Sequence, residues 1–385
     1  MFFENYKKRN SNIEILRIIA MFFVIFHHAI SQGFSFYSMP ESGINTYFYQ
    51  SFNCLGWIGN MFFIMISGYY LYQSKFSLKK VVSIWLQLLF YSSVISVFLF
   101  LFRIDIYGIT GDGFLLTRLV EKRPFKITEL FFSFIPFLTA QNWYATKYIV
   151  FLFFVPFLNV IVDNVSRKIH FLLVIFLFII FEFLPLFTWF DVYEINNYTP
   201  FFLLFFAGSF LKKYQPEIIK NNSCLILCLG IAYFLIFIGL RYYAMSVYKT
   251  LDNVPFVIYT FLMSSHAQDF VLTTCSFLIF SGCVYLSVKS NFFINLIAST
   301  TFGIYLLHNH NYFRRNVWFD FFKLNNHFSD NNLILYMIFC VLAVFAVCCI
   351  IELLRQMLFG RLFDVTASHI SNVLLQLFEK QKEKN

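Results

Sequence analysis

An arginine and two histidines lie within an otherwise apolar segment near the start of the chain. This segment, residues 13–31, reads IEILRIIAMFFVIFHHAIS. Ionisable groups at membrane depth are energetically costly, so they are functional candidates by default. On a helix, Arg17 and His28 share one face about 16 Å apart along the axis, whereas His27 points roughly 80° away from Arg17. Glu14 lies one turn before Arg17 and can pair with it.

The residue types on this face suit acid–base chemistry on a long anionic substrate. The unperturbed pKa of a histidine lies near working pH, so His28 could act as a general base. Arg17 could form a basic mouth for phosphate groups together with Lys75, Lys79 and Lys80. Alternatively, the arginine could extend its charge to the membrane surface while the histidine hydrogen-bonds a neighbouring helix. The spacing alone leaves both alternatives open.

Ser67 and Gly68 interrupt a second apolar segment, GWIGNMFFIMISGYYLY. Small residues inside a spanning helix allow a neighbouring helix to approach closely. A hydroxyl that lines a polar cavity is the alternative role for Ser67. We do not expect a nucleophile there, because no base lies near Ser67 in the sequence.

A third segment, TTFGIYLLHNHNYFRRNVW, contains His308, His310 and Arg314. On a helix the two histidines would point about 160° apart, so a metal-binding pair would need extended backbone there. We therefore predict no metal site. His308 and Arg314 could instead shape a polar pocket on the same side of the membrane as His28.

Aromatic residues and one acid complete the set of candidates. Trp143, Tyr144 and Trp318 are expected first as members of the aromatic belt at a membrane surface, with sugar stacking as a second use. Among them we predict a substrate-binding role for Trp143. Glu182, beside Pro185, is a weaker candidate, since it could simply pair with a buried cation.

The composition excludes a soluble protein. Hydrophobic residues form 59% of the chain and charged residues only 13%, against about 25% charged residues in soluble domains. A soluble core could not absorb the 58 phenylalanines. The eight cysteines lie mostly in apolar segments without a CxxC pair, so we expect packing residues and no disulfide framework. The sequence predicts an all-α, polytopic integral membrane helix bundle.

Ten apolar segments are long enough to cross a hydrocarbon core of about 30 Å. They are residues 13–31, 55–73, 80–103, 143–163, 169–189, 198–213, 223–243, 268–288, 293–311 and 332–358. A further run, 127–139, is short and contains Pro136, so we expect it to be interfacial or re-entrant.

Basic residues indicate how these segments are oriented. With ten crossings, the clusters at 7–9, 75–80, 167–168 and 212–220 fall on one side, which the positive-inside rule makes the cytoplasm. Both termini are then cytoplasmic, and the chain is a multi-pass membrane protein. Loop 104–142 is also basic but falls outside by this count, and long loops obey the rule poorly.

The predicted organisation is a cytoplasmic tail (1–12), a transmembrane domain (13–360) and a second cytoplasmic tail (361–385). In the second tail, apolar residues at helical spacing predict an amphipathic helix on the inner surface: Ile370, Val373, Leu374 and Leu377. The net charge of +9 lies in short clusters beside apolar runs, which indicates orientation signals rather than nucleic-acid binding.

Four segments, which follow one another along the chain in the family's order, resemble the membrane-bound acyltransferase-3 family. NSNIEILRIIAMFFVIFHH is similar to its opening helix, where Arg17 and His28 match the spacing of an arginine and a histidine. NMFFIMISGYYLY and FGIYLLH resemble two further signatures, onto which Ser67 and His308 map. NWYATKYIVFLFFVPFLN, with Trp143, resembles another family segment.

Two details refine the resemblance. Arg314 and Trp318 fall where the exopolysaccharide branch of the family often has arginine and tryptophan. Lys79 and Lys80 stand where the family often has two arginines, and lysine lacks the bidentate geometry that suits phosphate.

The resemblance implies transfer of an acyl group, usually acetyl from acetyl-CoA, to a hydroxyl of a cell-envelope or exported polysaccharide. His28 would deprotonate that hydroxyl or carry the acyl group itself. Arg17, with the three inner lysines, would hold the phosphates of CoA or stabilise the helix face that carries His28. The enzyme would lie in the bacterial cytoplasmic membrane. The acceptor, a polysaccharide or lipid-linked oligosaccharide, would contact His308, Arg314, Trp143 and Ser67. Acetyl-CoA would be a substrate, and we expect no permanently bound cofactor.

Two other classes of function remain open at the level of sequence. A transporter or flippase of lipid-linked sugars should show internal repeats and a long polar path, and neither is evident in the sequence. A non-catalytic scaffold that binds polysaccharide-assembly proteins would not need His28.

Overall fold

The computed structural model describes residues 9–34, 43–110, 119–187, 199–248, 262 and 264–382. These residues form an all-α bundle with one β-hairpin, in which β1 (Ile106–Thr110) pairs antiparallel with β2 (Leu119–Arg123). The helices are α1 (Ser11–Gly33), α2 (Ile44–Phe52), α3 (Leu55–Leu71), α4 (Leu78–Leu101), α5 (Ile127–Ser133), α6 (Trp143–Asn164), α7 (Arg167–Phe178), α8 (Thr199–Tyr214), α9 (Glu217–Asn221), α10 (Ser223–Tyr248), α11 (Ser265–Val284), α12 (Phe292–Ala298), α13 (Thr301–His308) and α14 (Leu333–Lys382). Each of the ten predicted apolar segments contains a helix.

Eight helical stretches among the described residues are long and apolar enough to cross a membrane. The α12–α13 segment, Phe292–His308, is apolar but shorter. Helix α8 has 16 residues and follows residues 188–198, which lie outside the described part of the chain. The all-α membrane bundle is confirmed, whereas the count of ten crossings stays a prediction.

The bundle has two chemically different ends. The lysine end contains Arg9, before α1, together with Lys79 and Lys213, whose ammonium groups contact α14 and the end of α6. The tryptophan end contains Trp57 of α3 and Trp143 of α6, whose ring centroids lie 6.1 Å apart. Helix α1 runs from the lysine end towards the tryptophan end.

Helix α1 lies in the core and packs against α3, α12, α13 and α14. Glycines allow close contact between backbones: a Cβ added to Gly59 would lie 2.5 Å from the carbonyl oxygen of Ala20. A Cβ added to Gly68 would lie 2.5 Å from the carbonyl oxygen of Phe205 in α8. The close helix approach that the sequence predicts at Ser67-Gly68 is therefore confirmed.

The short apolar run 127–139 does not cross the bundle. It contains α5, whose seven residues span only about 10 Å at 1.5 Å per residue. The hydroxyl of Ser133 lies 2.6 Å from that of Ser96, which fastens α5 to α4 near the tryptophan end. Phe131 on the same helix is 66% exposed, as expected for an interfacial segment.

Helix α14 is much longer than a bilayer is thick. Its 50 residues extend over about 75 Å. The tail after residue 360 is helical, as predicted, but it continues the last membrane segment without a break. Its exposed apolar side chains include Val373 and Leu377, which belong to the expected amphipathic pattern.

Candidate active site

His28 and His308 meet inside the bundle. The Nδ1 atom of His28 lies 2.9 Å from Nε2 of His308, although the residues are 280 positions apart. Helices α1 and α12 begin side by side, where the Ser11 hydroxyl donates to Asn295 at 2.9 Å. Because α13 continues in the same direction as α1, both histidines reach the half of the bundle nearer the tryptophan end. Both residues are buried: His28 is 9% exposed and His308 is 3% exposed.

A chain of hydrogen bonds determines which ring nitrogens carry protons. The carbonyl of Ile304 can only accept, so Nδ1 of His308, 2.6 Å away, donates to it. A neutral His308 then presents the lone pair of Nε2, to which Nδ1 of His28 donates. This leaves the lone pair of a neutral His28 on Nε2, for which the described residues provide no hydrogen-bond partner. His28 is thus arranged as a base.

The neighbouring histidines have different partners. Nδ1 of His27 lies 2.5 Å from the carbonyl oxygen of Asn53, between α2 and α3. Nε2 of His310 lies 3.3 Å from the carbonyl oxygen of Ser92 in α4. The described residues contain no cluster of three or more histidines, cysteines or acids able to hold a metal ion. His27 and His310 therefore connect helices rather than extend the histidine pair.

A cavity of about 290 Å³ follows the same face of α1. Arg17, Met21 and Val24 line it, and His28 continues this stripe one turn farther along the helix. Arg17 forms the ion pair that the sequence predicts, with 3.6 Å between its Nη1 and an oxygen of Glu14. We call this space the α1 cavity. It extends from Arg17 to Tyr144 and Tyr305, and neither His28 nor His308 is among its lining residues.

The opposite wall of the α1 cavity carries hydroxyl and amide groups from α3, α4, α6 and α13. They belong to Asn60, Ser67, Gln87, Tyr144, Tyr148, Thr301 and Tyr305. The Ser67 hydroxyl donates to the Phe63 carbonyl at 2.8 Å and lies 3.0 Å from the Tyr148 hydroxyl. Ser67 therefore lines a polar cavity while Gly68, beside it, packs against α8.

Two tyrosine hydroxyls near the histidine pair are enclosed without a hydrogen-bond partner among the described residues. They belong to Tyr144 and Tyr305, whose rings lie 5.9 Å apart. The Tyr305 ring is also 6.3 Å from the His308 ring. A buried unpaired polar group costs about 1–3 kcal/mol, so the pair indicates where a polar ligand atom binds. From the sequence, Tyr144 was expected as a belt residue with sugar stacking as a second use, and Tyr305 was not a candidate.

Comparison with known families decides the class of this site. Residues 10–353 match the family model Acyl_transf_3, which describes an acyltransferase domain. The chain belongs to the acyltransferase-3 family. No curated protein and no solved structure matches the chain. The matched residues include the histidine pair and the whole lining of the α1 cavity, so the protein is a multi-pass membrane acyltransferase.

The acyltransferase places its three predicted donor-binding lysines at the lysine end, outside the lining of the α1 cavity. Lys79 pairs with Asp364 of α14 at 2.6 Å. Lys75 and Lys80 are exposed. The lysines therefore share one end of the bundle with Arg17 but do not join it in the cavity wall.

Arg314 of the acyltransferase lies in the segment after α13. Its Nη1 donates to Oδ1 of Asn309 at 3.3 Å, and its charge acts on both His28 and Tyr305. Burial lowers the pKa of the guanidinium, yet an arginine stays protonated in proteins. The structure thus brings a fixed positive charge close to the histidine pair.

The two tryptophans of the predicted belt have different environments. Trp143 is 36% exposed, and the ammonium of Lys147 lies 4.8 Å from its ring centroid. Trp318 is completely buried and stacks against Phe322 at 5.9 Å. The expectation of a surface role for Trp318 was wrong, because the π-helical turn Asn316–Phe321 directs its ring into the core.

A buried charged cluster beside the α1 cavity was missed by the sequence analysis. Glu352 and Arg355 of α14 form a two-point ion pair, with N–O distances of 2.7 and 2.8 Å. Gln87, which lines the α1 cavity, donates to the same carboxylate at 3.0 Å, and Tyr91 also donates to it. The sequence does contain a signal for this cluster, because Glu352 and Arg355, three residues apart, interrupt the last apolar segment.

Proposed function

We propose that this acyltransferase transfers an acetyl group from acetyl-CoA to a hydroxyl of a cell-surface or exported polysaccharide, in the bacterial cytoplasmic membrane. The observation that carries the proposal is the hydrogen-bond chain from Ile304 through His308 to His28. This chain of hydrogen bonds leaves Nε2 of His28 unprotonated, in a protein that belongs to an acyltransferase family. A base in this position suits an acceptor that must lose a proton, such as a hydroxyl.

The transfer balances with His28 as the only proton carrier. Nε2 of His28 takes the proton of the acceptor hydroxyl while the hydroxyl oxygen attacks the thioester carbon. The carbon–sulfur bond then breaks, and the imidazolium returns the proton to the leaving CoA thiolate. His308 accepts from Nδ1 of His28 throughout, which holds the ring in place and stabilises its positive form. In a variant of this mechanism, His28 itself carries the acetyl group.

Negative charge develops on the thioester oxygen during the attack. Preorganised donors that face this oxygen supply much of the rate enhancement in acyl transfer. Three groups lie around the histidine pair: the hydroxyls of Tyr144 and Tyr305, which have no hydrogen-bond partner among the described residues, and the charged Arg314. We assign these three groups to stabilisation of the oxyanion.

The α1 cavity suits the thioester arm of the donor. Its wall alternates apolar side chains, such as Met21 and Val24, with groups that can pair with the amides of that arm, such as Ser67 and Gln87. Arg17 would hold phosphate at the mouth, and the lysines at the same end would add positive charge. By the positive-inside rule this end faces the cytoplasm, where acetyl-CoA is made.

The test compares O-acetylation of surface polysaccharide in cells that carry wild type, His28→Ala or Arg17→Ala at matched protein levels. His28→Ala is expected to abolish acetylation, and Arg17→Ala to reduce it through weaker donor binding. His27→Ala is the matched control, since this ring has a different partner. Normal acetylation with His28→Ala would contradict the mechanism. Loss of polymer export, rather than of acetyl groups, would favour a transporter of lipid-linked sugars.

A further inference from the structure

A second cavity, of about 360 Å³, lies at the tryptophan end. Its volume falls within the range of about 300–1,000 Å³ that is typical of small-molecule sites. Two partly exposed indoles flank it, with Trp57 46% and Trp143 36% exposed. Polar groups from α3, α6, α11 and the turn after α7 also line it, and they include Asn60, Lys147, Glu182, Gln268 and Asp269. We call it the tryptophan cavity.

Glu182 brings a carboxyl group into an apolar part of the bundle. It lies in a five-residue π-helical turn, Ile179–Phe183, that follows α7, and Pro185 comes shortly afterwards. Proline removes a backbone donor, and π-helical turns occur frequently at functional sites. The Glu182 residue is only 5% exposed, yet it lines the tryptophan cavity.

No basic group pairs with Glu182 in the part of the chain that the structure describes. Its acidic neighbour is Asp269 of α11, and Thr273 also lies nearby. The alternative that Glu182 simply pairs with a buried cation is therefore wrong for these residues. Buried carboxyl groups need hydrogen-bond donors, so the cavity suits a ligand that carries several of them.

The tryptophan cavity borders the α1 cavity. Asn60 and Tyr144 line both this cavity and the α1 cavity. The Tyr144 ring lies beside that of Tyr305, which in turn lies one helical turn before His308. A ligand in the tryptophan cavity would therefore approach the histidine pair from the side opposite to Arg17.

We infer that the tryptophan cavity binds one sugar unit of the acceptor, with its ring stacked on Trp57 and Trp143 and its hydroxyls donating to Glu182 and Asp269. The inference rests on the proposed function, because it locates the acceptor of that reaction. The apolar face of a sugar packs on an indole ring, and its hydroxyls are donors that carboxyl oxygens accept. Two acids and one lysine, Lys147, line the wall, so a uronic acid or another anionic sugar is disfavoured. The unit bound here is neutral or carries an amino group.

The test uses the purified full-length protein in lipid nanodiscs with saturating acetyl-CoA. The acceptor is the surface polysaccharide of the host cells after mild alkaline removal of its O-acetyl groups. Release of the CoA thiol is measured against polysaccharide concentration for wild type, Glu182→Gln, Trp143→Ala and Trp143→Phe. Tyr243→Ala is the matched control, because this aromatic residue of α10 is 62% exposed and lies outside the tryptophan cavity.

Glu182→Gln and Trp143→Ala are expected to raise the KM for polysaccharide about tenfold, as for loss of a buried hydrogen bond or an aromatic anchor. The KM for acetyl-CoA should stay unchanged, because neither side chain lines the α1 cavity. Trp143→Phe should recover most of the acceptor affinity, since it keeps an aromatic face. Tyr243→Ala should behave like wild type.

An unchanged KM for polysaccharide in both Glu182→Gln and Trp143→Ala, with elution profiles like that of wild type, would overturn the inference. Loss of wild-type activity in EDTA that is restored by Ca²⁺ or Mg²⁺ would also overturn it, since the two acids would then hold a cation. Failure of the proposed function has a different signature: wild type releases no thiol with this acceptor, or His28→Ala is fully active.

Discussion

The proton on His28 is positioned by a carbonyl group of another helix. The Ile304 carbonyl selects the tautomer of His308, and His308 in turn selects that of His28. Two buried rings therefore act as one unit, in which only the outer nitrogen of His28 is free to accept a proton. In the proposed mechanism His308 is a positioning residue, because it acts through His28.

His308→Leu is expected to lower kcat about 100-fold, in line with the usual contribution of an oriented general base. His308→Gln should recover part of this loss, because its amide oxygen can still accept from Nδ1 of His28. The measurement is acetyl transfer by purified protein with both substrates saturating. Equal kcat values for the Leu and Gln variants would show that His308 does not position His28.

Contacts between helix backbones set the geometry of the α1 cavity. Helix α3 supplies Asn60 and Ser67 to its wall and is held against α8 through Gly68. Gly208 of α8 lies in the same contact, where an added Cβ would meet the backbone of Met65. Since a spanning helix in lipid gains little from hydrophobic burial, such close packing supplies much of the association energy.

Gly68→Ala is expected to destabilise the protein by about 1–3 kcal/mol, as is usual for overpacking, because the added methyl group meets the backbone of Phe205. Gly239→Ala is the matched control, since a Cβ at this helical position meets no atom within 4 Å. It should leave stability unchanged or raise it by about 0.5–1 kcal/mol through helix propensity. Thermal unfolding in detergent, followed by size-exclusion chromatography, measures both. Equal stability of the two variants would contradict the close contact.

At the scale of the whole molecule, the basic residues of the hairpin region disagree with the positive-inside rule, because the hairpin lies at the tryptophan end and the other basic clusters lie at the lysine end. The structure shows that two of them are paired: Lys122 with Asp320 at 3.1 Å, and Arg123 with Glu129. The positive-inside rule counts lysines and arginines and not net charge, so these ion pairs do not remove the disagreement. Loop 104–142 therefore counts against an orientation in which the lysine end is cytoplasmic, and the orientation needs a direct test.

Labelling of introduced cysteines tests this orientation. Cys224 and Cys228 are exposed, so both are first replaced by serine. In intact cells, Asn331→Cys, which precedes α14 at the tryptophan end, should react with a membrane-impermeant maleimide. Ser287→Cys, which follows α11 at the lysine end, should react only after the cells are opened. The reverse pattern would place acetyl-CoA binding on the wrong side of the membrane for the proposed reaction.

The sequence by itself determined the class of fold, the position of nearly every helix and the individual candidates Arg17, His28 and His308. These follow from local properties: hydropathy over about 20 residues identifies a spanning helix, and a polar residue inside such a run is conspicuous. The stripe from Arg17 to His28 could also be predicted, because it depends only on the helical period of α1.

The tertiary structure alone decided which candidates meet. The contact between His28 and His308 depends on α1 and α13 running side by side in the same direction, which no local pattern encodes. Tyr144 and Tyr305 are ordinary aromatic residues in the sequence. Only packing encloses their hydroxyls without a hydrogen-bond partner among the described residues. Such contacts depend on the fit between distant helix surfaces, whereas the sequence shows only the character of each surface separately.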